Sequence, residues 1–301
     1  MLNNLLLCSI TAVVLVGTLW PMFADILFGT KISVGAPFFN AATAPLAIPL
    51  VAAMAVGPLL AWKRADLAGA LQRLWWVGLL AVAAAFLTLL IAGYHVWPAL
   101  GFAAAAWLIA GAAADILDRI AAFRRPSQAW NRARGLPRAA WGGAVAHAGV
   151  GVMFAGLAGM GVATDSLVEL KPGQSTRLAG YEWPLECIRE VQGPNWSSRR
   201  ATITVLDGGR VVTVLTPEKR FFPVGRMHTT EAAIHTNAIR DLYAVLGDER
   251  DGGGVVRLHH NPLAPWIWFG AGIMALGGGL SLSDRRIRVS APSRKAATAP
   301  A

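Results

Sequence analysis

The sequence is short of charge and of cysteine, and each shortage excludes something. Only 15% of residues are charged, against about 25% in a soluble globular domain, while 55% are hydrophobic and the mean hydropathy is +0.48. That balance places the chain in the membrane class before any motif is read. Cysteine occurs twice, as Cys8 and Cys187. There is no CxxC pair and no Cys/His spacing suited to zinc, so thiol-redox and zinc chemistry lack support. Paired carboxylates, a nucleophile–base set and a phosphate-cradling loop are missing as well, and no internal repeat is visible. The N-terminus has no basic segment ahead of its apolar run. That run therefore reads as a first membrane span rather than a cleaved signal peptide.

What the sequence does have is long apolar runs. A spanning helix needs about 20 largely apolar residues. Six stretches qualify, near residues 5–27, 43–62, 74–93, 96–117, 139–162 and 263–282. The turn "GYHVWP" joins the third and fourth as an antiparallel helical hairpin, with Pro98 opening the second helix where a missing N–H costs little. The runs read as continuous. They lack the paired Gly/Pro interruptions that mark a midplane substrate site, which counts against a small-solute transporter.

The basic residues set an orientation. Lys63, Arg64 and Arg73 lie in one loop; Arg119, Arg124, Arg125, Arg132, Arg134 and Arg138 lie in another; Arg285, Arg286, Arg288, Arg294 and Lys295 lie in the tail. With six spans these segments share one side, where 14 basic residues face only four acidic ones, Asp66, Asp115, Asp118 and Asp284. The excess equals the whole net charge of +10. Asp25 and Lys31 cancel on the other side, and residues 164–262 hold 12 basic and 12 acidic residues. The positive charge is thus a topology signal, and a nucleic-acid partner is not expected. Both termini should be cytoplasmic and, in a bacterium, the region between the last two spans periplasmic. Asp25 and Asp115 read as interfacial. Cys8 and Cys187 fall on opposite sides and cannot pair.

Residues 164–262 differ from the rest. "RATITVLDGGRVVTVLTPEKRFFPV" is two β-rich runs around "DGG", a hairpin signal, and "DSLVELKPGQSTRLAGYEWPLECIREVQG" has strand-like runs broken by Pro-Gly and Gly. "TEAAIHTNAIRDLYAVLGD" reads as more helical or irregular. The expected fold is an all-α transmembrane bundle of six spans, both termini inside, with a small antiparallel β domain between spans five and six. The segments are helices one to five over residues 1–163, the periplasmic β-rich domain over 164–262, helix six over 263–284, and a basic cytoplasmic tail over 285–301 whose end reads as disordered.

One histidine stands out. "GGAVAHAGVGVMFAGLAGMGVA" is long enough to span, yet carries His147. A polar side chain in hydrocarbon faces the bundle interior and needs a partner. That partner can be a hydrogen bond to a neighbouring helix. It can also be haem iron, which takes histidine axially. Gly143 and Gly151 share a face with His147 and would leave a shelf on either side of the imidazole for a large planar group. Small residues equally serve close helix packing, and the residues alone leave both readings open.

Several further segments carry a family likeness. They are "LNNLLL" and "GTLWP" near the start, "KISVGAPFFN" after the first span, "AHAGVGV" around His147, then "PEKRFFPVGRM", "TEAAIHTNAIRDLYAVLGD" and "NPLAPWIWFGAGIMALGGGLSLSDRR". In these the chain resembles the C-terminal half of CcmF, the cytochrome c-type biogenesis protein that serves as haem lyase of cytochrome c maturation. The resemblance covers nearly the whole chain in the right order. It implies a b-type haem held in the membrane by two histidines, His147 matching the second. It implies haem received from a periplasmic haem chaperone and joined through its vinyl groups to the CxxCH cysteines of apocytochrome c, with thiol-redox factors as further partners and quinol as electron source. The family's tryptophan-rich "WWD" segment, its two flanking periplasmic histidines and its other membrane histidine have no counterpart here. The resemblance therefore implies either a naturally split subunit or part of a longer reading frame, with one axial ligand of two. Haem-lyase activity is expected only in complex with the N-terminal half. A non-catalytic scaffold of the maturation complex is the alternative.

The remaining candidates read more plainly. His95, beside Tyr94 and Trp97, fits an interfacial aromatic belt, as do Trp20, Trp62, Trp75, Trp76, Trp141, Trp266 and Trp268. His228, His235, His259 and His260 match no zinc signature, and no family role maps onto His95 or these four. Gly277–Gly279 reads as close packing in the last span. The orientation predicts that a membrane-impermeant maleimide added to intact cells reaches Cys187, and labelling only from the cytoplasmic side would overturn it.

Overall fold

The computed structural model describes residues 2–60, 66–250 and 252–284. Eight α-helices occur among them: α1 (Leu2–Phe28), α2 (Ala36–Val56), α3 (Leu67–Arg73), α4 (Trp75–Ala92), α5 (Val96–Arg119), α6 (Pro126–Gly135), α7 (Arg138–Met160) and α8 (Ala264–Leu282). Six of them, α1, α2 with its following turn to Leu59, α4, α5, α7 and α8, are long and apolar enough to cross a membrane. The protein is a multi-pass membrane protein. Lys63, Arg64 and Trp62 lie outside the described residues, as does the tail from residue 285 with its five basic side chains.

Most spans begin and end near the expected residues. The second starts at Ala36 rather than near residue 43, because Gly35 caps the helix and Pro37 occupies its first turn, where proline is pre-set for helical φ. It stays helical through Pro45 and Pro49. Two short helices were not legible in the basic loops. Asp66 starts α3 by accepting a hydrogen bond from the Gly69 amide at 2.8 Å. Pro126 starts α6.

The chain falls into two compact units. The first comprises the described parts of Met1–Ala84, Ala103–Gly151 and Gly272–Ala301. Here α1 meets α2 at Gly17, where a Cβ would lie 2.7 Å from the Phe38 ring. Trp107 of α5 donates to the Ala52 carbonyl of α2 at 3.3 Å, and Gly111 of α5 backs onto Ala55. Ala112 and Ile116 of α5 pack with Ala144 of α7. Gly277 of α8 meets the backbone of Gly142 and Ala146 of α7, with 2.5 Å from its would-be Cβ to the Ala146 nitrogen. Gly278 and Gly279 face open space, so close packing at that triplet rests on its first residue.

The second unit, Ala85–Phe102 and Val152–Ala271, holds all the strands found among the described residues. These are β1 (Thr164–Leu170), β2 (Ser175–Leu178), β3 (Tyr181–Gln192), β4 (Ser197–Asp207), β5 (Arg210–Leu215), β6 (Glu218–Phe222), β7 (Met227–Glu231), β8 (Ala233–Thr236), β9 (Arg240–Arg250) and β10 (Gly253–Pro262). They form an antiparallel sheet in the order β1-β10-β9-β8 and a second in the order β2-β3-β4-β6-β7, with β5 also on β4. Trp183, Leu185, Ile203, Val205, Leu242, Leu246, Val256 and Leu258 are fully buried in one apolar core. The "DGG" hairpin is present: Asp207 pairs with Arg210, and Gly208 and Gly209 take φ of 54° and 84°, the left-handed values a two-residue turn needs.

One expectation is corrected. "TEAAIHTNAIRDLYAVLGD" is neither helical nor irregular; it contains β8 and β9, antiparallel partners from Ala233↔Ala244 to Thr236↔Asp241. Asn237 makes the turn between them, its side-chain oxygen accepting from the amides of Ile239 and Arg240, both at 2.9 Å.

Glu218 is a buried carboxylate in the six-stranded sheet, paired with Arg200 at 2.6 Å and Arg220 at 3.0 Å. Burial opposes its charge, but hydrogen bonds from Arg220 and Arg200 outweigh that and hold the carboxyl below its ordinary value. A carboxylate whose folded pKa is depressed contributes stability above its unfolded pKa and loses it as pH falls through the folded one. The melting temperature of the purified protein should therefore drop on acidification below about pH 4.3, the ordinary glutamate value. The Glu218→Gln variant should show a shallower drop; an equal slope would remove Glu218 from the account.

Candidate functional site

Helix α7 begins just after Pro137, and its free N-terminal amides are met from the residues that follow α8. Asp284, buried, accepts a hydrogen bond from the Ala139 amide at 3.0 Å. From there the helix runs on small residues, and glycine decides which faces can touch a neighbour's backbone.

Successive residues on an α-helix turn by about 100°. Gly142 and Ala146 lie together on one side, against Gly277 and Ser281 of α8. Nearly opposite, a Cβ on Gly151 would lie 2.6 Å from Ile109 Cγ1 and 3.0 Å from the Ala105 carbonyl of α5. Beside that contact, Trp141, Ala144, Val145 and Ala148 line an apolar cavity of about 410 Å³ with residues of α5. The stripe that remains carries Gly143, His147 and Val150. A Cβ on Gly143 would have nothing within 4 Å.

His147 is half-buried on that stripe. No hydrogen bond to its imidazole is formed among the described residues. The charge that acts on it is that of Asp115 on α5. The Asp115 side chain is buried, and Arg119 one turn on pairs with it at 2.8 Å. Arginine at the C-terminal end of α5 also meets the negative end of the helix dipole.

The two flanking glycines separate in role. Gly143 has open space where a Cβ would stand. Gly151 does not, because Ile109 fills the volume next to it, and it serves close helix packing instead. Gly142 was not singled out from sequence, since a glycine's partner on another helix is invisible in a single chain of letters.

The other five histidines belong to the second unit. His95 is exposed in the turn between α4 and α5. His228 stacks on Phe221 with ring centroids 4.8 Å apart. His235, on β8, lines a polar cleft of about 380 Å³ with Glu218, Arg220 and Glu231. His259 meets the Tyr243 ring at 5.1 Å, and His260 meets Tyr181 at 5.9 Å, with the Arg240 guanidinium 4.5 Å over the same ring. Burial and the nearby Arg240 charge hold His260 below the ordinary imidazole value, and burial with Arg257 does the same for His259. Among the described residues no group of three or more His, Cys, Asp or Glu is placed to hold a metal ion.

Six membrane-spanning helices with an antiparallel β-sandwich between the last two define a class of membrane protein. Comparison with known proteins narrows it. Residues 161–262 match the family described as the CcmF C-terminal beta-sandwich. Over 302 residues the chain is 44% identical to the cytochrome c-type biogenesis protein CycK of Rhizobium meliloti, covering 97% of this chain and 44% of that one. It is 35% identical to the cytochrome c-type biogenesis protein CcmF of Escherichia coli, covering 98% and 45%. A solved structure named Cytochrome c Heme Lyase CcmF superposes with a TM-score of 0.71 at 25% identity, over 94% of this chain and 45% of that one. The chain is similar to these CcmF and CycK proteins over nearly all of its own length, and it spans less than half the length of the curated relatives it matches.

The glycine geometry gives a paired prediction. Gly151→Ala should destabilise the purified protein by about 1–3 kcal/mol, the usual cost of overpacking, whereas Gly143→Ala should leave the melting temperature unchanged. Equal effects in thermal melts would contradict the assignment of the two faces.

Proposed function

We propose that the chain acts in cytochrome c maturation as the C-terminal component of a haem lyase, and that His147 is an axial ligand of a b-type haem within the membrane. The observation that carries this reading is a half-buried imidazole in a span that finds no hydrogen-bond partner among the described residues. Unsatisfied polar groups in hydrocarbon are costly, so such a group is kept for something outside the helix that bears it. Packing glue would need a partner on α5 or α8, and neither provides one. The open side at Gly143 fits the approach of a macrocycle; the filled side at Gly151 confines it to that direction.

His147 would hold the iron through a ring nitrogen, and the second axial ligand would come from the part of the family's length that this chain does not span. When bound, haem b supplies one-electron redox chemistry. The helix itself fixes the imidazole, keeps the site apolar through Val150, and leaves one direction of approach. Thioether formation with the CxxCH cysteines of apocytochrome c, receipt of haem from a periplasmic haem chaperone, contact with thiol-redox factors and use of quinol are proposed for the complete assembly. The proposed location is a bacterial inner membrane, with the sandwich in the periplasm and both termini in the cytoplasm. The one-sided distribution of 14 basic against four acidic residues supports that orientation.

The second reading is a scaffold that completes the fold of the N-terminal half and docks partners without touching haem. Co-expression with that half and purification of the complex separates the two. His147→Ala should abolish or strongly shift the haem absorption bands while the complex still assembles. Unchanged bands would leave the scaffold.

A further inference from the structure

At the residue-74 end of α4 and the residue-119 end of α5, the first unit contains a cavity of about 580 Å³. Its walls are mostly apolar, from Leu59, Trp75, Trp76, Leu117 and Phe123, and its polar corner is Arg73, Asp118 and Arg124. Asp118 gives one carboxylate oxygen to each arginine, 3.0 Å to Arg73 and 2.6 Å to Arg124. Two guanidiniums on one carboxylate leave a surplus of one positive charge. Both arginines remain open to a further acceptor, with 50% and 66% of their side chains exposed. A guanidinium carries five donors, and each carboxylate contact shown here occupies one. The turn that brings Phe123 and Arg124 round passes through Ala121 at φ 51°, an uncommon conformation for a residue with a Cβ. Trp75 is 68% and Phe123 80% exposed beside the cavity, at the level where two spans end. Aromatic rings at that level sit among lipid headgroups.

We propose that this cavity seats the headgroup of an anionic phospholipid. Its phosphodiester lies on Arg73 and Arg124, and an acyl chain runs down the apolar wall of Trp75, Trp76 and Leu117. The charges match: one surplus positive charge faces one phosphodiester, and a zwitterionic headgroup would bring an ammonium with no carboxylate left to receive it. A basic pocket between spans, open to the bilayer at headgroup level, is the form that lipid-headgroup sites take. Free phosphate fits the arginines equally but leaves the apolar wall without an occupant.

The full chain, purified and delipidated, is titrated with phosphatidylglycerol or phosphatidylcholine and read by native mass spectrometry. One phosphatidylglycerol should be retained with several-fold preference. Arg73→Gln with Arg124→Gln should bring that preference near unity, and Asp118→Asn, which frees both guanidiniums, should raise it. Melting curves confirm that each variant is folded, and Asp118→Asn keeps the test decisive if the double variant is not. Equal retention of the two lipids, a preference that survives the double variant, or weaker retention in Asp118→Asn would overturn the proposal. Inorganic phosphate raising the melting temperature in phosphatidylcholine as far as phosphatidylglycerol does would assign the corner to a free anion instead.

Discussion

Glycine-mediated contact of α7 with its neighbours is the constraint on which the rest of the membrane part depends. Where Gly142 meets Gly277 and Ser281, and where Gly151 meets Ala105 and Ile109, backbones lie closer than any side chain permits. Those contacts are short and steric, so the rotation of α7 about its own axis is fixed. With the rotation fixed, the face left over is fixed as well, and His147 is on it. The position of the imidazole is thus a consequence of what its helix lacks elsewhere. A leucine at Gly142 or Gly151 would push a neighbour away and let the helix turn.

The same contacts explain which parts of the structure were readable in the letters. A span is legible because hydrocarbon demands about 20 apolar residues whatever surrounds them. The "DGG" turn is legible because two successive left-handed φ values need residues that tolerate them. Strand β9 was not, because Tyr243 and Val245 on its outer face are as apolar as Leu242, Ala244 and Leu246 on its buried face, which erases the two-residue alternation a strand shows. Glu231, Ala232 and Ala233 leading into β8 favour helix, and the pairing of β8 with β9 overrides that preference.

At the site, His147 was legible because a lone imidazole in an apolar run needs an explanation from any reader. Its surroundings were only half legible. Gly143 and Gly151 are equivalent by helical spacing, four residues either side of the histidine. They differ because α5 lies against one and not the other, which is a tertiary fact. The burial of Asp115 was not legible for a related reason. Near a span end it reads as a headgroup-level acid, but Arg119 four residues on supplies its counter-charge along the same helix and lets it be buried.

The acids of the basic side complete the account of charge. Asp66 caps α3, Asp115 pairs with Arg119, Asp118 receives Arg73 and Arg124, and Asp284 accepts from the first turn of α7. Each of the four is engaged in holding a helix end or an arginine in place. Carboxylates contribute little to setting membrane topology, so retaining these four does not weaken the orientation signal of the surrounding lysines and arginines. Orientation by basic residues and local structure by acidic ones are therefore carried by the same short segments, and the surplus of one guanidinium at Asp118 is where the two requirements meet.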